Sequence, residues 1–227
     1  MVVVHHLNNS RSQRVLWALE ELGVPYEVKR YERDSVTNLA PASLKAIHPL
    51  GKSPVITDTN DAGDVVTVAE SGAIIEYLAQ AYGEGSFTPE LGTQAYRDYM
   101  YWMHFSEGSL MPQLLLKIIF DKVANSPMPF FVKPIAKGIS KKVMAGYVDP
   151  NIVVMLDYIE SHLNDKEWFA GDSLTGADIQ MSFPLEASVM GGGISANYPN
   201  ILAFVKRVHA RTTYQSALKT GGTYDYA

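Results

Sequence analysis

Few residues of this 227-residue chain have side chains suited to chemistry, and they fall in short stretches. Asn8, Asn9, Ser10 and Arg11 offer amides, a hydroxyl and a guanidinium in one loop. Lys52 and Ser53 precede Pro54, and Glu70 and Ser71 precede a helical stretch. Cysteine is absent, which removes disulfides, thiolate zinc sites, iron–sulfur clusters and a cysteine nucleophile. Any sulfur chemistry must therefore arrive with a ligand. His5 and His6 are neighbours on a strand, so their side chains point to opposite faces and cannot share a metal ion. No metal is expected, and His48, which borders Pro49, has a simple structural account. Each remaining candidate also has a structural account when taken alone. Ser10 with Gln13 fits a capping box, as does Thr175 with Asp178, and Ser71 fits a plain helix N-cap. Lys52 reads as a solvated loop charge and Glu70 as a carboxylate near a helix start.

The elements that must position these residues are legible from periodicity. Val2 to Val4 is a β-branched run, Ser12 to Leu22 carries apolar residues at helical spacing, and Tyr26 to Tyr31 alternates. A short helix is expected over 41–47, then a hairpin of Val55 to Asp58 and Val65 to Val68 around TNDAGD, then a helix from Ser71 to Tyr82. The order is βαβαββα. Beyond about residue 90 only helical spacing remains, over 94–123, 141–163, 175–190 and 200–211. SPMPFFVKP and the glycine run 191–193 interrupt it. This predicts an α/β N-terminal domain over 1–83 and an all-α C-terminal domain over 92–227. The order without a cysteine pair suggests a thioredoxin-like fold that lacks its redox centre, with Ser53–Pro54 as the candidate cis bond. Hydrophobic residues make up 47%, charged residues 19%, and the net charge is −5, which fits a packed soluble fold. Such a balance supplies no basic field for nucleic acid and no polybasic strip for an anionic membrane. With no signal-like N-terminus and no span of roughly 18 apolar residues, a cytoplasmic protein is expected.

NNSRSQRVLWALEELGVPYEVKRY, HPLGKSPVI and AESGAIIEYL follow one another in the order and spacing of the glutathione-binding half of the glutathione transferases. FAGDSLTGADI is similar to that family's C-terminal-domain motif. The chain thus resembles a cytosolic glutathione S-transferase, and within the family the fungal and bacterial members with an NSR-type active-site loop. The resemblance implies reduced glutathione as co-substrate. A tripeptide with two carboxylates, an amine and a thiol needs an anchor at each end and a pairing backbone between them. Ser71, at a helix N-terminus, would hold the γ-glutamyl carboxylate and Glu70 the amine. Ser53 before a cis Pro54 would pair with the cysteinyl main chain, and Lys52 would reach the glycyl carboxylate.

The resemblance also places the thiolate donor in the Asn8–Arg11 loop. Counting back from Arg14-Val15 puts Asn9 where several classes carry a catalytic serine, with Ser10 one place later, so both stay open as donors. Arg11 would add positive charge. Tyr101, His104, Phe105 and Met111 lie at the height where an electrophile pocket would form, although such a stripe also fits a core. The expected activity is conjugation of glutathione to a small hydrophobic electrophile. The alternatives are glutathione-dependent reduction of hydroperoxides or disulfides, and a non-catalytic glutathione or ligand binder. The resemblance further implies a homodimer. Thr175 and Asp178 serve folding in that family, and the tail with Tyr224 and Tyr226 either folds over the pocket or frays.

Overall fold

The computed structural model describes residues 1–37, 39–60, 62–191 and 193–227. Asp61 in the hairpin loop and Gly192 in the glycine run lie outside the described residues. β1 (Val2–Leu7) is central in a four-stranded sheet of order β2-β1-β3-β4. It pairs in parallel with β2 (Tyr26–Tyr31), through α1 (Ser12–Leu22), and antiparallel with β3 (Val55–Thr59). β3 in turn pairs with β4 (Val65–Ala69), and α2 (Ser71–Tyr82) follows. Val4 lies opposite Val28 on one side and Ile56 on the other. The expected βαβαββα order therefore forms, except that 41–47 becomes a single 3₁₀ turn, Ala42–Ala46. Pro41 and Pro49 bracket that stretch too closely for a longer α-helix. Val2, Val4, Val15, Leu16, Ile74, Ile75 and Leu78 are fully buried between the sheet and its helices.

The remainder is helical. α3 (Gln94–Phe105) and α4 (Met111–Asn125) form one rod through a π-helical turn at Ser106–Leu110. α5 (Lys133–Val143) and α6 (Asp149–His162) form a second rod through a π turn at Met144–Val148. The second rod begins earlier than the expected 141, because Pro134 sits in its first turn, where a missing N–H removes no helix bond. α7 (Gly176–Met190) is buried almost all round, and its buried polar residues, among them Asp178, Gln180 and Glu186, are held by hydrogen bonds. A Cβ on Gly176 would stand 2.8 Å from Ile75 Cγ2, so glycine is what lets α7 press onto α2. The expected capping box forms there: Asp178 accepts from the Thr175 N–H (2.7 Å) and also from the Phe169 N–H (2.7 Å). Burial raises the Asp178 carboxyl to about 6 against those bonds. α8 (Pro199–His209) matches expectation, and α9 (Thr212–Gly221) was not anticipated. Its buried residues, Tyr214, Ala217 and Gly221, are too few and too small to register as a periodic stripe.

Candidate functional site

A small trough of about 140 Å³ runs past the ends of β3 and α2, lined by Arg11, His48, Lys52, Ser53, Pro54, Glu70, Ser71 and Glu107. All five expected binding residues thus come together. The Ser53–Pro54 peptide is cis, and the Ser53 hydroxyl donates to the His5 carbonyl at 2.9 Å. Glu70 is the N-cap of α2 at φ +73°, a conformation that non-glycine side chains rarely adopt. It is exposed, whereas Ser71 is buried at the first position of the helix, where backbone N–H groups have no intrahelical partner. Lys52 is exposed at the opposite end.

The Asn8–Arg11 loop separates its two donor candidates. Asn9, at φ +49°, turns to the C-terminal tail: its amide donates to Asp225 Oδ2 (2.8 Å) and accepts the Asp225 N–H (2.9 Å). Ser10 is buried, and its Oγ lies 2.8 Å from Ser12 Oγ and accepts the Ser12 N–H at 3.2 Å. The Ser10–Gln13 capping box does not form. The Ser10 hydroxyl is taken up by Ser12, the N-cap is Arg11, and the Gln13 amide turns inward without a partner among the described residues. Ser12 Oγ also meets His6 Nδ1 at 2.8 Å. Burial first, then Arg30, pulls the His6 imidazole down to about 4, which leaves it neutral. His5 turns elsewhere, to Tyr31 and Thr57.

Beneath the trough lies the buried charge of Arg14. Arg14 donates to Ser71 Oγ (3.0 Å), Glu107 Oε1 (2.6 Å), Gln180 Oε1 (3.3 Å) and Ser106 Oγ (3.2 Å). Its guanidinium also sits 5.2 Å from the centre of the Phe183 ring. Burial lowers its pKa, and Glu107 opposes that shift. Glu107 projects from the π turn and also pairs with Arg11 at 3.0 Å. An arginine amid the buried residues of α1 was the available signal, since such a charge needs partners.

A cavity of about 730 Å³ adjoins the trough and shares Arg11, Lys52 and Ser53 with it. Asn9, Ser10 and Arg33 supply its polar side, and Met111, Leu114, Ile118 and Phe183 its apolar side. Of the four expected pocket residues only Met111 lines it. Tyr101 and Phe105 instead join an aromatic cluster, with Tyr101 5.5 Å from Phe105 and 5.9 Å from Tyr158, while His104 is exposed. The wide i→i+5 turn at 106–110 rotates the residues before it relative to those after it, so one stripe cannot run through both. The tail closes the far side: the Tyr224 hydroxyl donates to Glu186 (2.6 Å), and Tyr226 packs edge-on to Phe183 at 5.3 Å. A larger cleft of about 850 Å³ at Trp168 and Gly171 contains none of the candidate residues.

Residues 10–81 match the family model for the glutathione S-transferase N-terminal domain and residues 120–212 that for the C-terminal domain. The chain is 40% identical over 211 residues to Glutathione S-transferase 3 of Schizosaccharomyces pombe, covering 93% of this chain and 84% of that one. It is 32% identical over 220 residues to Glutathione S-transferase 1 of Saccharomyces cerevisiae, covering 96% and 94%. A crystal structure of a glutathione S-transferase from Actinobacillus pleuropneumoniae superposes with a TM-score of 0.80 at 34% identity, over 100% of this chain and 95% of that one.

Proposed function

The chain belongs to the glutathione S-transferase family and is an enzyme of it, and from that premise we propose that it conjugates reduced glutathione to small hydrophobic electrophiles. The trough, built mainly from 1–83, holds the tripeptide, and the helical part over 92–227 supplies most of the apolar wall of the electrophile cavity. The observation that carries this reading is the shared border of the two spaces, formed by Arg11, Lys52 and Ser53 with Ser10 beside it. A thiol bound along the trough would reach the cavity there.

In this reading Ser71 and the first N–H groups of α2 take the γ-glutamyl carboxylate. Glu70 and Glu107 face the amine, the Ser53 main chain pairs with the cysteinyl unit, and Lys52 meets the glycyl carboxylate. The thiol proton leaves to solvent, and Ser10 donates its hydroxyl proton as a hydrogen bond to the thiolate. Lowering a thiol from about 8.5 by two units needs roughly 2.7 kcal/mol. One charge-assisted hydrogen bond with the N-terminal field of α1 is of that order. Asn9 is the weaker donor candidate, because its amide N–H is given to Asp225, whereas Ser10 Oγ accepts the Ser12 N–H and, with Ser12 Oγ as donor between the two hydroxyls, keeps its own proton to give. The sulfur lone pair then forms the C–S bond. An aryl halide loses halide with the bonding electrons, whereas an activated alkene passes the pair to its own carbon, which takes a proton from solvent.

The same reading makes the protein a cytoplasmic homodimer. Val65 and Val66 on the edge strand β4 and Met100 on α3 are exposed apolar residues that such pairing would cover. Lys52→Ala should abolish glutathione binding at unchanged thermal stability, and Ser71→Ala should abolish it while the chain stays folded with a lower Tm, since buried Arg14 loses an acceptor, as titration calorimetry and thermal melts would show. Ser10→Ala should bind glutathione but lose the thiolate absorbance near neutral pH. Normal binding by the first two variants overturns the site, and turnover confined to hydroperoxides overturns the reaction.

A further inference from the structure

Segment 126–148 differs in charge and exposure from the rest of the chain. It contains Lys133, Lys137, Lys141 and Lys142 and no acidic residue, although the whole chain carries −5. At its head Phe130 and Phe131 are 87% and 66% exposed, and their rings meet each other edge-on at 5.6 Å. Ile135 and Ile139 are also exposed, at 63% and 54%. The inward face of α5 is fixed by Ser140, whose hydroxyl donates to the Phe120 carbonyl of α4 at 3.0 Å. Relative to that face, Lys137 and Lys141 lie along one flank, Ile135 and Ile139 along the other together with Lys142, and Lys133, two turns before Ser140, lies near the edge of the inward face. An exposed helix that combines isoleucines and lysines with no acidic residue, and carries aromatic residues at its tip, has the composition of elements that lie in a lipid interface.

We propose that the α4–α5 turn docks on an anionic lipid bilayer. Phe130, Phe131 and Ile135 enter the boundary of headgroups and acyl chains, and the lysines meet lipid phosphates. The absence of any acidic residue over 23 positions favours a uniformly anionic surface over a protein face of mixed charge. The chain rests on the bilayer and does not cross it: among the described residues no helix is long and apolar enough to span. Expectation from the chain's average charge missed this segment because its charge is local. The position has a functional consequence. Ile118 lines the electrophile cavity, and α4 ends at Asn125, about 10 Å further along at 1.5 Å per residue. An electrophile dissolved in the bilayer would then leave it close to the cavity.

The experiment is co-sedimentation of the full chain with vesicles of phosphatidylcholine alone and of phosphatidylcholine mixed with phosphatidylserine. The expected result is binding to the mixed vesicles only, weakened by salt. Phe130→Ser/Phe131→Ser should abolish it, and Lys137→Gln/Lys141→Gln should weaken it by about fivefold per lysine. Both variants should bind glutathione as the parent does, which shows that they are folded and separates this proposal from the catalytic one. No binding to the mixed vesicles, or binding that both variants retain, overturns it. So does loss of a dimer in the phenylalanine variant by light scattering, which would identify a second copy as what covers the tip.

Discussion

Replacing Arg14 with methionine should destabilise the protein and weaken glutathione binding together. The guanidinium of Arg14, on α1, is 1% exposed, and its two terminal NH2 groups donate to four side-chain oxygens, one at the α2 start, two in the π turn and one in α7. Methionine refills most of the stem volume but supplies no donor. Gln180 Oε1 and Ser71 Oγ are then buried and left without this donor, at about 1–3 kcal/mol each. Ser106 keeps its own bond to the Gln180 carbonyl (2.8 Å), and Glu107, a third exposed, keeps Arg11 and reaches water, so neither adds much. Removing a buried charge also returns part of its desolvation penalty. A net loss of about 3 kcal/mol is the outcome, or roughly 6–12 °C in Tm for a chain of this size. Reversible urea unfolding measures the loss, and calorimetry with glutathione measures the displaced Ser71. Lysine at this position should recover only part, since one ammonium cannot span four acceptors. A methionine variant within about 1 kcal/mol of the parent and with unchanged glutathione affinity would refute the account.

Two further outcomes follow from the buried network. His6 ionises at about 4 in the folded chain and near 6.5 when unfolded, so below 6.5 the unfolded chain gains a proton that the native one refuses. Its contribution is complete above pH 6.5 and is lost as pH falls through 4, about 3 kcal/mol in all, and urea midpoints of His6→Gln should be flatter across that window. Asp225→Ala should free the tail from Asn9, seen as faster amide exchange over 222–227. It should leave glutathione affinity within about twofold, because the lost pair is exposed.

The strands and helices of the first 83 residues were readable because each is a clean local pattern closed by its own stop signal, as Gly23 at φ +64° ends α1. The candidate binding residues were readable through the family resemblance, and the structure brings them together because Lys52 and Ser53 lie just before β3 and Glu70 and Ser71 at the start of α2. The electrophile cavity was not readable. Its walls depend on the phase of α3 against α4, and a π turn that changes this phase leaves no mark in hydrophobic spacing. Arg14, Glu107 and Gln180 were missed because their partners lie 93 and 166 residues away from Arg14 in sequence.

That division has a mechanistic meaning. Ser71 takes its orientation from Arg14, and Arg14 is held by Glu107 and Gln180 of the helical part, so the carboxylate anchor proposed above is not a property of the sheet alone. A helix N-terminus attracts an anion wherever it stands, but a hydroxyl pinned at 3.0 Å by a buried guanidinium keeps one rotamer before the ligand arrives. The ordering is then paid once, in folding, and not at each binding event. It also follows that Glu107 can respond to both spaces: it lines the trough, and its partner Arg11 lines trough and cavity alike. An electrophile that displaced Arg11 would weaken the support of Glu107, and through Arg14 that of Ser71. With glutathione and an electrophile bound as proposed, the chain of contacts Arg11, Glu107, Arg14, Ser71 is the route along which one would alter affinity for the other, which a comparison of glutathione affinity with and without a bound hydrophobic ligand tests.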